Sequence, residues 1–175
     1  MDIIEIILFI LPAYLANSIP VIFTGKTPMD FGRKFIDKRR LLGDGKTYRG
    51  FMAGIFMATV IYMPVSYFLG KYYLPELSFF DKVNLAFIMS VGALIGDLAG
   101  SFIKRRLNLD RGQPSWLMDQ LFFLFTAIIF AIAAYPQTAM HIDAIAIIVL
   151  VISTFALHLL FNQLAYRLKL KSVPW

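Results

Sequence analysis

Residues 85–106 read LAFIMSVGALIGDLAGSFIKRR. The stretch is apolar or small apart from one carboxylate, Asp97, and it stops on three cations, Lys104, Arg105 and Arg106. A helix needs about 20 mostly apolar residues to cross a bilayer, and positive side chains collect where such a helix leaves it. Four further runs of similar length cover residues 3–23, 51–69, 116–134 and 142–165. The expected fold is therefore an all-α integral membrane protein with five transmembrane helices, in a single domain over residues 1–175. Composition agrees, with 59% hydrophobic residues, 16% charged residues and a mean hydropathy of +0.70. Soluble domains carry about a quarter charged residues, so a water-soluble globule and a disordered chain are poor readings. There is no cysteine, which excludes disulfides, thiolate metal sites and a cysteine nucleophile. The acidic front of the first run, Asp2 and Glu5, is the opposite of what a cleaved leader requires.

The net charge of +6 is concentrated on one side. Residues 24–49, the loop after the third run and the tail together hold 15 of the 17 Lys and Arg. Only Lys71 and Lys82 fall on the other side. Positive loops stay in the cytoplasm, so the expected protein is multi-pass in the cell membrane, N-terminus outside, with C-terminus and basic loops inside. Short, membrane-tethered loops make nucleic acid a poor partner. Anionic phosphates at the bilayer surface suit them better.

The first basic loop holds more than anchoring charge. It contains Pro28-Met29-Asp30-Phe31-Gly32 and Gly43-Asp44-Gly45-Lys46-Thr47-Tyr48-Arg49-Gly50. Glycines let a backbone approach an anion and offer it N–H groups. Gly43, Asp44, Gly45, Lys46, Thr47 and Arg49 thus have the composition of a phosphate-binding loop. They do not form a Walker A sequence, since Arg40 stands where its first glycine belongs.

In the third run, Asp97, Gly100, Ser101 and Lys104 share one face at 100° per residue. An ionisable group inside a membrane helix is a functional candidate by default. Asp119, in Leu117-Met118-Asp119-Gln120, is the matching acid across the short loop. Two carboxylates converging beside glycine-lined cations suggest Mg²⁺ carried by a phosphorylated substrate. Asp97 and Asp119 are the expected metal ligands, with Lys104 beside them in catalysis and Ser101 and Arg105 helping to bind the nucleotide. His141 and His158 are read as packing or interface residues.

These strings, in this order and over nearly the whole chain, resemble the archaeal CDP-archaeol synthases. The resemblance implies a CTP-dependent cytidylyltransferase that uses Mg²⁺. Its implied lipid substrate is the unsaturated isoprenoid ether lipid 2,3-bis-O-geranylgeranyl-sn-glycerol 1-phosphate. The products would be the CDP-activated lipid and pyrophosphate. One position departs from the family pattern: a second acid commonly follows Asp119 by three residues, and here Phe122 stands there. The competing readings are an ester-lipid CDP-diacylglycerol synthase and, from another class, a small ion or lipid transporter. A transporter predicts inverted repeats or paired broken helices; the sequence shows no repeat, and a transporter leaves the glycine-rich loop without a purpose.

The charge split generates a topology prediction. A reporter fused after Trp175 is cytoplasmic, and one inserted between Lys71 and Lys82 is external. Finding both chain ends on one side overturns the five-helix reading.

Overall fold

The computed structural model describes residues 3–109 and 115–169, with the side chains of Trp116, Leu117, Asp119, His158 and Ala165 outside the described set. Arg111 and Lys171 of the basic segments also lie outside it. Five α-helices follow one another: α1 (Ile3–Ile22), α2 (Tyr48–Leu69), α3 (Phe79–Arg106), α4 (Trp116–Ala134) and α5 (Ala144–Arg167). Short 3-10 turns, Gly70–Tyr72 and Pro136–His141, sit after α2 and α4. The helices α1, α2, α3 and α5 are long and apolar enough to span a membrane, and α4 contributes the shorter apolar segment Gln120–Ala134. Helices are forced by the solvent, because a backbone in lipid must satisfy its own hydrogen bonds.

Two prolines of α1 interrupt that rule. Pro12 in α1 has no N–H, which frees the carbonyl of Leu8. The buried Tyr62 hydroxyl of α2 donates to that carbonyl at 2.7 Å and shares a 2.7 Å hydrogen bond with the Tyr73 hydroxyl. Pro20 frees the carbonyl of Ala16, and Gly54 of α2 lies against it so closely that a Cβ there would sit 2.9 Å from the oxygen. The kinked first helix is thus held against α2 at both breaks. Across the bundle, the Tyr14 hydroxyl meets Thr154 of α5 at 2.8 Å, tying α1 to the last helix.

The closest packing is between α3 and α4. Gly92, Gly96 and Gly100 recur every four residues on one stripe of α3, the small-residue spacing that lets membrane helices touch backbone to backbone. A Cβ on Gly92 would lie 2.9 Å from the Thr126 carbonyl. One on Gly96 would lie 2.5 Å from the Phe122 carbonyl and 2.0 Å from the Thr126 hydroxyl. One on Gly100 would lie 3.0 Å from the Met118 carbonyl. The two chains therefore run antiparallel with 96 opposite 122 and 100 opposite 118.

The sequence places the third helix at 85–103, and the structure lengthens it at the outer end. Ser78 and Asp81 form a reciprocal cap: the Ser78 hydroxyl accepts from the Asp81 N–H and the Asp81 carboxylate accepts from the Ser78 N–H. Lys82, read from sequence as an outer-loop charge, is instead only 5% exposed. Its ammonium donates to the carbonyls of Gly70 and Leu77, each at 2.8 Å. It satisfies backbone acceptors left over where α2 ends, which a pattern of charges cannot reveal.

The seam gives a stability prediction. Gly96→Ala forces α3 and α4 apart and costs about 1–3 kcal/mol, the range for overpacking a tight core. Gly70→Ala, whose new methyl would meet only Lys82 at 3.5 Å, stays near wild type. Thermal unfolding of the two detergent-purified variants checks this; equal melting temperatures sink the backbone-contact argument.

Candidate active site at the basic end of the bundle

The segment between α1 and α2 folds into a compact structure through its own backbone. Pro28 and Thr47 form an isolated antiparallel bridge, and so do Lys34 and Arg40. Met29 N–H donates to the Lys46 carbonyl at 2.7 Å and Leu41 N–H to the Arg33 carbonyl at 3.0 Å. Thr47 starts α2. Its buried hydroxyl accepts from the Gly50 N–H and from the Gly25 N–H, both at 3.2 Å. The side chain expected to touch phosphate therefore already serves as helix cap and loop clasp.

At the centre of this segment is Asp30, 4% exposed. Its carboxylate accepts from Arg40 Nη2 at 2.8 Å and Nε at 3.2 Å. It also accepts from the N–H groups of Gly32, Leu42 and Gly43, each at 3.0 Å. Burial alone would raise its pKa, but the Arg40 guanidinium and the three N–H donors outweigh burial and hold the carboxyl well below the usual range. Arg40 also reaches Asp44 at 2.8 Å, and both acids hold its guanidinium firmly protonated. The Asp30 bond to the Gly43 N–H fixes the turn into the glycine-rich stretch, where Gly43 takes φ +103°, a region that favours glycine. Sequence reading quoted Asp30 within its motif but gave it no role. The available signal was Asp-x-Gly, since an Asp side chain bonds its own backbone two residues on.

The loop is bolted to the end of α3. The Arg106 guanidinium lies over the rings of Phe35 (5.1 Å) and Phe102 (4.7 Å), which meet edge to face at 5.4 Å. Arg106 Nε pairs with Asp37 at 2.9 Å, and its Nη2 donates to the Arg40 carbonyl at 2.5 Å. Arg39 donates to the carbonyls of Arg105 and Arg106. Arg105 donates to the carbonyls of Leu42 and Leu109. Much of the basic charge thus satisfies backbone and holds the loop in place.

This bolting brings two of the expected site residues together. Lys46 Nζ lies 2.5 Å from Asp97 Oδ2, with the two side chains 28% and 23% exposed. A phosphate-loop cation and an intramembrane carboxylate, 51 residues apart in sequence, share one half-open position. Asp44 and Gly45 are exposed beside them, and Arg49 is exposed on the first turn of α2. Ser101 is 3% exposed on α3, and Lys104 is half-buried one turn nearer the basic end. Position 97 follows Gly96 and position 119 follows Met118. In antiparallel helices both successors fall on the same flank of the seam. The Asp119 side chain itself lies outside the described residues. Phe122 lies at the level of Gly96 and Gly100. At the opposite end, His141 pairs with Glu76 at 2.9 Å, in keeping with an interface role.

A profile of the family described as CarS-like, CDP-archaeol synthase matches residues 1–175. A CDP-archaeol synthase from Thermococcus kodakarensis is 50% identical, over 95% of this chain and 93% of its own. One from Pyrococcus abyssi is 47% identical over 95% of both chains. One from Methanocaldococcus jannaschii is 44% identical over 95% of this chain and 94% of its own. A solved structure described as an intramembrane enzyme for archaeal membrane lipids biosynthesis superposes with a TM-score of 0.71 at 36% identity. It covers 92% of this chain and 94% of that one.

The Asp30 cluster predicts how the loop responds to substitution and acid. Asp30→Asn removes the charge from several bonds worth about 1.5–3 kcal/mol each. Hydrogen exchange of the Leu42 and Gly43 amides therefore speeds by at least about tenfold. A carboxyl held low in the folded state stabilises above its unfolded pKa, about 3.9, and loses that stabilisation as pH falls through the folded value. Wild-type protection is thus flat from neutral pH to that range and collapses only in stronger acid. Protection that fails already near pH 6 contradicts the assignment.

Proposed function

The chain belongs to the CDP-archaeol synthase family, and from that premise we propose which of its residues carry the reaction. The protein transfers CMP from CTP to the phosphate of an unsaturated archaeal ether lipid, 2,3-bis-O-geranylgeranyl-sn-glycerol 1-phosphate, releasing pyrophosphate. One domain, 1–175, performs it at the cytoplasmic mouth of the bundle, with the N-terminus outside. CTP arrives from the cytosol while the isoprenoid chains stay in lipid. The observation that carries this reading is the Lys46–Asp97 pair, which joins the glycine-rich loop and the membrane acid in one place.

The nucleophile is a lipid phosphate oxygen. It bonds to the α-phosphorus of CTP as the bond to the β-phosphate oxygen breaks. A phosphate monoester has a second pKa near 6, so it is largely dianionic at neutral pH and needs no general base. The barrier is repulsion between two polyanions, and fixed positive groups lower it. Lys46 turns from Asp97 to the CTP phosphates. The N–H groups of Gly43–Lys46, with Arg49 and Arg105, orient the triphosphate, and Thr47 keeps that loop in shape. Lys104, on the face that carries Asp97, steadies the incoming lipid phosphate, and Ser101 lines the same face.

Asp97 and Asp119 would hold Mg²⁺. The donor set suits it, since Mg²⁺ usually takes one or two carboxylates and fills its remaining positions with waters and substrate phosphates. The ammonium of Lys46 stands where a cation would sit against Asp97. When bound, the ion neutralises phosphate charge. Two carboxylates suffice for such an ion, so Phe122 need not be replaced by an acid.

The test is purified protein with labelled CTP, Mg²⁺ and either ether- or ester-linked lipid phosphate. Labelled lipid forms from the ether substrate; product from neither lipid sinks the proposal. Lys46→Ala loses one charge-assisted contact of about 1.5–3 kcal/mol, so the KM for CTP rises or turnover falls by roughly ten- to a hundredfold. Asp97→Asn abolishes turnover or sharply raises the Mg²⁺ requirement. An ion pair this exposed adds about 0–1 kcal/mol to stability, so both variants still fold. Because the two groups touch, their effects combine non-additively. Asp143→Asn, where the side chain only caps α5 by accepting from the Ala146 N–H, keeps full activity. Normal Mg²⁺ dependence in Asp97→Asn moves the metal site elsewhere.

A further inference from the structure

The loop carries a feature the reaction does not use. Residues 34–40 form a small hairpin: Phe35 N–H donates to the Arg39 carbonyl at 2.8 Å and Lys38 N–H to the Phe35 carbonyl at 2.9 Å. Ile36 stands at its tip, 90% exposed. Around it Arg33, Lys34 and Lys38 are exposed and have no carboxylate partner among the described residues. The neighbouring charges are engaged, Asp37 with Arg106 and Arg39 with the end of α3. The tip therefore presents an isolated branched apolar side chain inside a ring of unopposed cations.

Its depth can be read from α3. At the outer end Tyr67, Phe68, Phe79 and Phe80 form a chain of edge-to-face contacts with ring centroids 5.0, 6.2 and 5.4 Å apart. Tyr67 in this cluster suits headgroup level, where tyrosine is enriched. From Phe79 to Phe102 the helix rises about 35 Å, against a hydrocarbon core of about 30 Å. Phe102 then emerges in the opposite headgroup layer, and the hairpin is fixed beside it by the Phe35–Phe102 contact.

We propose that the 34–40 hairpin, with Arg33 leading into it, is a membrane-surface anchor: Ile36 enters the headgroup–acyl boundary while Arg33, Lys34 and Lys38 bind anionic lipid headgroups. Apolar contact combined with electrostatic attraction is how interfacial segments hold to such a surface. The anchor would steady the loop that carries Lys46, yet it rests on the membrane reading of the fold and not on the assigned reaction.

The absence of cysteine makes the test clean. Ile36→Cys is labelled with an environment-sensitive dye and the protein is reconstituted in vesicles with and without anionic lipid. The expected result is a blue-shifted emission, quenched by a lipid-borne quencher placed near the headgroups and shielded from aqueous iodide, in the anionic vesicles. The triple variant Arg33→Gln, Lys34→Gln, Lys38→Gln on the same labelled chain loses the shift. A water-like emission quenched by iodide overturns the proposal. So does lipid quenching that ignores anionic content, or a shift that depends on protein concentration and so reports a second copy. Ile36 is too exposed for its replacement to disturb folding, and an unchanged melting temperature of the labelled protein verifies that.

Discussion

The direct backbone contact between α3 and α4 is the constraint on which the rest depends. Glycine at 92, 96 and 100 lets the carbonyls of Met118, Phe122 and Thr126 approach to distances no side chain permits. Close approach without hydrophobic driving force is how helices associate in lipid. It fixes the register of the acid-bearing helices to within a fraction of a turn. It also positions the end of α3, onto which the basic loop is bolted through Arg105 and Arg106. A site assembled from two helices and a loop needs that order of precision, because misplacing a reacting group by about 1 Å costs much of its effect.

The electrostatics of the loop are less uniform than its composition. A cluster of cations near a membrane invites the reading that all of them bind phosphate. Arg39, Arg40 and Arg106 instead form hydrogen bonds to carbonyls and carboxylates that hold the fold. Planar guanidinium groups with several donors are suited to such bracing, whereas lysine is a compact, mobile charge. Lys46, by contrast, meets Asp97 of α3 at a half-open position.

The helices and their number were legible because bilayer thickness acts on long stretches of sequence. The candidates Lys46 and Asp97 were legible too, since each stood out by chemistry alone. Their contact was not, because it depends on how a 25-residue loop folds across the end of α3, and no periodicity encodes that. Asp30 escaped for a related reason. Its importance lies in gathering one guanidinium and three backbone N–H groups, a count that exists only after folding. Lys82 was misplaced because a lysine near a helix start looks the same whether it faces water or closes a bond to Gly70 and Leu77. The outer extension of α3 likewise hid in Ser78 and Asp81, whose cap outweighs the charge that seemed to end the run.

The buried Lys82 has a mechanical consequence. One ammonium fastens the last turn of α2 to the beginning of α3, and the Tyr62–Tyr73 pair ties the same region back to α1 through Leu8. The bundle is therefore riveted at the end away from the reactive groups. With the basic loop fastened across the other end of α3, that helix is clamped at both extremities, so the register set by its glycine stripe is held along its whole length.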